Sequence, residues 1–550
     1  MPTVVLTADR GTFTDYGGIS TLGYVACMPA RIVPRPLMNL LFTPEMKSYR
    51  SGEAVYAPYA LRKVEAALLE RGVDVIVVPP DNLDKVIDEN TKVLGITVHD
   101  PRGLSPVSMK LTMLFGGGPA WNAVFFDEMG RRIWQLKKKY GFRVVAGGPA
   151  TWQLVLERPE WVDTIFNGEA EVDLPNIIKD AIEGRQIPSD VKGRDPKVEE
   201  IPTIKKPSRL GEVQVTRGCP RGCQFCSITP ETFRSIPLKD ILEEVKLNIS
   251  HGQKSVELLT DDILLYGSNR LRTNHDAVVE LFRSVKEAGA EQIYFPHISA
   301  PPVVTDEKTV LEISDIAEYK KYRAEAPVVG LESGSKRIIY KYMRGKSFPF
   351  KPEEWGEVIV NATSILNKAS ITPCYTMTIG YPDETDDDVQ ESIDLVSNLF
   401  SSGNRSWVFP LPVIPMGSTK ISKNPFPALK TLPSKYWELL YLSWKNDLRV
   451  TREVFPDMTG RMFSSTLRGI VNLLMDRTLA HVEEVFKELM ETKGEKAYEY
   501  SLIDLNSITG VLRSIYWFFR AQMSGVSPAG IPSIEQTAAK LSSTAGKIGK

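Results

Sequence analysis

From about residue 54 onward the apolar positions of this chain switch between the two spacings that separate helices from strands. The stretch YAPYALRKVEAALLERG puts Leu61, Val64, Ala67 and Leu68 on one helical face and stops at Gly72. VDVIVVP then reads as a buried strand and KVLGITVHD as another short one. A long loop runs through Ser105 and the glycines 116 to 118, and a helix around Met129 to Lys139 leads into the strand FRVVAGGP. DTIFNGEAE closes the series. This alternation predicts a doubly wound parallel sheet over residues 51–185, with ligands at the carboxyl ends of its strands. Residues 1–50 show no clear period and read as an irregular N-terminal extension. Residues 186–210, rich in Lys, Pro and Asp, read as a linker.

A second α/β series fills residues 211–425. Its strands are EVQVTRG, SVELLTDD, QIYFPHIS, PVVGLESGS and ITPCYTMTIGYP, with helices between them. Repeated units of this length predict a partial TIM-type barrel, with function at the strand carboxyl ends. Residues 426–525 read as a helical C-terminal domain, and 526–550 as a mobile Ser/Pro/Ala/Gly-rich tail. The fold class expected is α/β: doubly wound sheet, partial barrel, then helices.

Composition narrows the function classes. The chain has 550 residues, 42% apolar and 25% charged, with a net charge of -1. That balance predicts a globular protein of more than one domain and gives no reason to expect nucleic acid as partner. No apolar run reaches membrane-spanning length and no secretory signal is seen, so a cytoplasmic location is expected. Five cysteines do not make a disulfide framework.

Three of those cysteines, Cys219, Cys223 and Cys226, fall in GCPRGCQFC with the spacing C-x3-C-x2-C. Three thiolates can hold three irons of a [4Fe-4S] cluster and leave the fourth iron open to an outside ligand. Gly218 and Gly222 let the backbone curl around the cluster, and Phe225 shields it. A zinc knuckle would need a fourth ligand close by, and the nearest, His251, is too distant. Cys27 and Cys374 stand alone, which limits the chain to one such cluster.

The segment resembles the signature of the radical S-adenosylmethionine (SAM) superfamily. The resemblance implies that the open iron chelates the amino and carboxylate groups of SAM. One electron, from a donor such as ferredoxin or flavodoxin, cleaves SAM to methionine and a 5'-deoxyadenosyl radical, which removes hydrogen from an unactivated carbon. It further implies roles for residues at the barrel strand ends. Asp261 or Asp262 in LLTDD would bind the SAM amino group, although either could equally cap a helix. Glu332 in GLESGS would bind ribose hydroxyls, with Ser333 and Gly334 opening the next helix. Gly380 in IGYPDET would let backbone approach the adenine. Tyr375 and Tyr381 are core or cofactor contacts, and Arg344 and Lys346 in KYMRGK either meet a carboxylate or phosphate or, the more frequent case, form a solvated helix end.

The upstream pattern VVAGGPAT followed by GEAE resembles the cobalamin-binding domain that precedes many such barrels. Gly147 and Gly148 would lie against the corrin, and Gly168 and Glu169 at the next strand end. No D-x-H-x-x-G is present, and His99 is a lone histidine at a strand end. The loop FGGGPAWNAVFF departs from the pattern, and Trp121, Phe125 and Phe126 are expected to fill the corrin space if cobalamin is absent.

The segment WVFPLPVIPMGST resembles the barrel end of radical SAM enzymes acting on isoprenoid or polycyclic lipids, a wider group that includes hopanoid methylases and archaeal tetraether-lipid ring synthases. Leu505, Ile508, Leu512, Ile515 and Phe519 at helical spacing, and PRPLMNLLF near the start, lean toward an apolar substrate or peripheral membrane contact. The first expectation is therefore C–C bond formation in a lipid, as in cyclopentane ring closure. The alternative is a cobalamin-dependent C-methyltransferase acting on a lipid, a peptide or a small metabolite. A non-catalytic corrinoid carrier would leave the cysteine triad unexplained.

Overall fold

The computed structural model describes residues 2–18, 20–115, 118–228, 232–269, 271–322, 325–417, 419–428, 431–462, 479–480 and 482–495. The first sheet contains β1 (Val4–Ala8), β2 (Val75–Val77), β3 (Val93–Thr97), β4 (Arg143–Gly147), β5 (Thr164–Asn167) and β6 (Asp190–Lys192). They are all parallel, in the order β2-β1-β3-β4-β5-β6. Helices cover both faces. Leu94, Ile96, Val144 and Ile165 pack one way with Phe126 and Ile133, while Val4, Leu6, Val77 and Val145 pack the other with Leu61 and Leu68.

Three expectations are corrected here. Residues 1–50 are not simply an irregular extension, because Val4–Ala8 form an interior strand with every residue buried. A strand covered on both faces is uniformly apolar and short, so it shows no alternation to read. The stretch 186–210 supplies edge strand β6, paired Ile165 to Asp190. The helix expected from Met129 starts earlier and runs Trp121–Tyr140. Trp121 and Phe125 therefore pack with Met38 and Val124, and Phe126 joins the sheet core.

The second layer is the barrel. Strands β7 (Glu212–Gln214), β10 (Ser255–Leu259) and β11 (Gln292–Tyr294) form one parallel group. Strands β12 (Val328–Glu332), β13 (Cys374–Ile379) and β14 (Trp407–Pro412) form another. A bridge between His297 and Val328 joins the two, giving six strands in chain order and an opening between β7 and β14. Between β7 and β10, the short strands β8 (Thr216–Arg217) and β9 (Arg234–Ser235) pair antiparallel. Along β10, Val256 and Leu258 are fully buried against the outer helices, so Glu257 and Leu259 face the bore.

The sheet domain sits over the open side. Arg209, just before β7, donates to the carbonyls of Thr12 and Thr14 beyond β1. On the other side, Leu111, Leu114 and Phe115 of the helix Pro106–Leu114 join the barrel core. The helix Tyr436–Met462 packs on β14, and Trp444 stacks on Phe486 with ring centroids 4.3 Å apart. The expected apolar run Leu505 to Phe519 and the tail 526–550 lie outside the described residues. Among the described residues no helix is long and apolar enough to cross a membrane.

Candidate active site

The cysteine loop springs from β8 and returns through β9, so its two ends are pinned together by the Thr216–Ser235 and Arg217–Arg234 pairs. Gly218 and Gly222 both adopt φ 74°, a left-handed conformation that glycine enters without strain. Cys223 is buried, and Cys219 and Cys226 are half-buried. Burial pushes all three thiols above their usual range, Cys223 to about 12, and Cys219 and Cys226 both act on Cys223 electrostatically. Iron supplies the positive charge that makes buried thiolates stable. Among the described residues no three His, Cys, Asp or Glu side chains converge on one ion. A cubane cluster takes each thiolate at a separate corner, so the donor set fits it and not a single metal ion.

The turn carrying KYMRGK backs this loop. Gln224 N–H donates to the Tyr342 carbonyl at 2.9 Å, and its side chain donates to the Lys341 carbonyl at 2.7 Å. Arg221 donates to the Lys346 carbonyl at 3.2 Å and to the Asp262 carboxylate at 3.0 Å. Phe225 meets Tyr381 edge-on at 6.1 Å, and Tyr381 stacks on Tyr342 at 4.5 Å. At Gly345 a Cβ would overlap the Arg221 carbonyl. Gly345→Ala is therefore expected to push the two segments apart, costing about 1–3 kcal/mol. Iron content and deoxyadenosine formation should fall together; unchanged iron loading would refute this account.

The other sequence-derived residues divide by what they already bind. Asp262 is not available to SAM: it pairs with Arg221 and accepts the N–H groups of Leu264 and Ser299, each at 3.3 Å. Asp261 has no hydrogen-bond or ion-pair partner among the described residues. Burial and the neighbouring Asp262 raise its pKa to about 7. Glu332 stands at the end of β12 as expected, at φ 65° beside a register shift, and binds Lys346 at 2.9 Å. Lys346 is thus no solvated helix end; its ammonium is buried beside Cys223 and Glu332. Ser333 is fully buried, and its hydroxyl accepts the Ser335 N–H, an internal contact. Gly380 has φ 94° and donates its N–H to Glu384. Tyr375 is core, bonded to Thr363 at 2.7 Å, and Tyr381 bonds Thr378 at 2.6 Å.

In the sheet domain, the glycine and acidic residues serve the chain itself. Gly148 has φ 113°, and a Cβ there would sit 2.6 Å from the Val98 carbonyl; at Gly168 it would lie 3.0 Å from the Gly193 carbonyl. Gly147 alone keeps free room, with nothing nearer than the Phe166 carbonyl at 3.8 Å. Glu169 accepts from Arg217 and Arg234, and Glu171 from Arg217. These buried pairs tie the end of β5 to both arms of the cysteine loop. Sequence reading missed Arg217, Arg234, Glu171 and Arg221, since their partners lie 41 to 65 residues away.

Two side chains combine accessible surface with a desolvated setting. Tyr24 keeps 50% of its surface accessible, yet burial pushes its phenol to about 12. His99 is exposed by area, yet burial lowers its imidazole pKa. Cys374 of β13 acts on Tyr24 and Arg209, just before β7, acts on His99, so both side chains lie near barrel residues. Trp121, Phe125 and Phe126 belong to the cores described above.

Residues 213–396 match the radical SAM superfamily. The chain carries a radical SAM domain. The cofactors that go with such a domain are a [4Fe-4S] cluster and SAM. Among curated relatives, the chain is 26% identical over 281 residues to the tRNA-2-methylthio-N(6)-dimethylallyladenosine synthase of Magnetococcus marinus. That match covers 50% of this chain and 61% of the relative, so the chain spans about six tenths of that protein's length. The enzyme of the same name from a Sulfurihydrogenibium species is 23% identical over 363 residues, covering 63% and 78% of the two chains. Among solved structures, the radical SAM methyltransferase TsrM from Kitasatospora setae, with cobalamin and a [4Fe-4S] cluster bound, superposes with a TM-score of 0.51 at 15% identity. It covers 76% of this chain and 77% of that one, a likeness of fold alone. None of these similarities supports lipid ring formation.

Proposed function

We propose that this radical SAM enzyme binds cobalamin between its sheet and its barrel and transfers a methyl group to a polar substrate in the bore. The observation that carries this reading is the pair His99 and Tyr24, each with accessible surface yet desolvated, with barrel-side groups Arg209 and Cys374 among their electrostatic neighbours. His99 follows β3, on the strand-end side where doubly wound sheets bind ligands, and Trp121, Phe125 and Phe126 are held in the hydrophobic cores. When bound, the cluster supplies the electron that cleaves SAM, and the corrin carries the methyl group.

This chain's residues do the positioning. Cys219, Cys223 and Cys226 hold the cluster. Asp261, unpartnered above the bore, accepts the SAM ammonium, and Glu332 with Lys346 closes the other side of the triad. Gly147 leaves backbone open to the corrin. Glu257 faces the bore beside Tyr294 and Glu212, with its pKa raised to about 7 by burial and Glu212. A buried carboxyl of this kind suits a polar substrate better than a saturated lipid chain. An electron donor of the ferredoxin or flavodoxin type would reduce the cluster. The tRNA in the relatives' names is not carried over, since a net charge of -1 gives no general excess of basic residues.

Asp261→Asn is expected to weaken SAM binding about tenfold, the loss of one charge-assisted contact, while iron content stays unchanged. Equal SAM affinity in the variant would remove Asp261 from the site. The function itself is tested on anaerobically reconstituted protein supplied with cobalamin, methyl-deuterated SAM, and polar and lipid extracts. The expected result is one cobalt per chain and a product carrying the deuterated methyl group. Cobalt-free protein that yields products lighter by pairs of hydrogens would overturn it in favour of C–C bond formation.

A further inference from the structure

Lys110 lies on the helix Pro106–Leu114 of the sheet domain, where that helix meets the barrel at β14. Its side chain is 3% exposed. Its ammonium makes no hydrogen bond or ion pair among the described residues. Instead it stands 5.8 Å from the ring centre of Phe409, which alternates with outward-packed Val408 and so faces the bore, and 5.6 Å from that of Trp444. The carboxylate that acts on it is Asp447, beyond ion-pair distance. Asp447 gives one oxygen to the Val408 N–H at 2.9 Å, and its other oxygen is buried without a partner. Cys374, whose thiol is also within the field of Asp447, lies opposite Trp407 on the neighbouring strand.

A buried lysine without an acceptor is costly, and burial lowers its pKa to about 7. Two aromatic faces attract a cation but leave its three N–H donors unmet. If packing were the only task, a methionine or leucine would fill the same space beside Phe409 and Trp444 without that cost. An anionic group arriving in the bore would restore the charge and accept those hydrogen bonds.

We propose that Lys110 is the anion anchor of the substrate site, binding a carboxylate or phosphate of the substrate at the β14 side of the bore. The inference rests on the reading that the bore holds a polar substrate. It means that the sheet domain supplies a substrate-binding residue to the barrel as well as a wall for the cofactor.

The test uses full-length reconstituted protein with iron and cobalt counted. Wild type, Lys110→Met, Lys110→Gln and Lys110→Arg are titrated calorimetrically with inorganic phosphate and, separately, with succinate. Wild type should bind one of the two anions, and which one binds distinguishes a phosphate-bearing from a carboxylate-bearing substrate. The Met and Gln variants should bind it at least tenfold more weakly, and the Arg variant should recover part of the loss. Iron, cobalt and the unfolding midpoint should stay as in wild type, and the Gln variant serves if the Met variant does not fold. Wild-type protein that binds neither anion, or a Gln variant that binds as tightly as wild type, would overturn the anchor. Loss of cobalt in the Lys110 variants would also overturn it, placing the anion on the corrin tail. Protein that takes up no cobalt but still loses anion binding in the Gln variant would keep the anchor and reject methyl transfer.

Discussion

Cys223→Ala is expected to abolish SAM cleavage while leaving the barrel folded. Cys223 is the middle ligand of the triad and its most buried member, 6% exposed. With two thiolates left, two irons lack protein ligands, and the cluster is not held. Without an open iron at a fixed position, SAM has neither its chelating site nor its electron. Deoxyadenosine formation should fall to the background of cluster-free protein, and the charge-transfer absorption of the cluster should disappear. The strands packing the barrel core, Val213, Val256, Leu258 and Val329 among others, do not depend on the thiol, so the unfolding midpoint of the apoprotein should move by little. A variant that still forms deoxyadenosine at the wild-type rate would refute the ligand assignment.

Arg217→Ala should be the most damaging substitution away from the cysteines. Its guanidinium joins Glu169 and Glu171 of the sheet domain to the first arm of the cysteine loop, and it also donates to Gln214 at 2.7 Å. The side chains of Arg217 and Glu171 are 9% and 5% exposed, so little solvent screens the pair. Removing the arginine strands Glu171 without its cation and leaves Glu169 with Arg234 alone. Breaking a buried pair from one side costs about 3–5 kcal/mol. The measurements are the denaturant midpoint and the iron content of the reconstituted variant, both expected to fall. Glu171→Gln should cost less, because the amide can still accept one hydrogen bond. A midpoint within experimental error of wild type for Arg217→Ala would show that these pairs do not hold the two domains together.

The reading of the barrel strands succeeded for a specific reason. Each barrel strand is a short run whose outward residues, such as Val256 and Leu258, pack on a helix next to it in sequence. Local pattern and local packing therefore coincide. The first fifty residues failed for the opposite reason: Val4–Ala8 pairs with Val75–Val77 and Val93–Thr97, about seventy and ninety residues away, and nothing nearby reports that pairing. The aromatic residues Trp121, Phe125 and Phe126 misled because glycines before them suggested a loop, whereas the helix begins at Trp121. For Lys346 the sequence leaves a carboxylate partner and a solvated helix end both open; the fold decides for Glu332, with Arg221 of the cysteine loop donating to the Lys346 carbonyl.

What the sequence alone determined was the chemistry: three cysteines at a spacing that only a cluster with one open iron explains well, and two α/β series to carry it. Ligand type and spacing are local properties, so one dimension is enough. Only the tertiary structure decided which acidic residues remain free to act. Asp261 and Asp262 are neighbours of identical type, yet Arg221 takes one and leaves the other. Glu169 looked like a cofactor contact and instead locks the domains to Arg217 and Arg234. A carboxylate's role depends on which cation the fold brings within hydrogen-bond distance, and those cations come from 41 to 65 residues away, where no sequence period connects them.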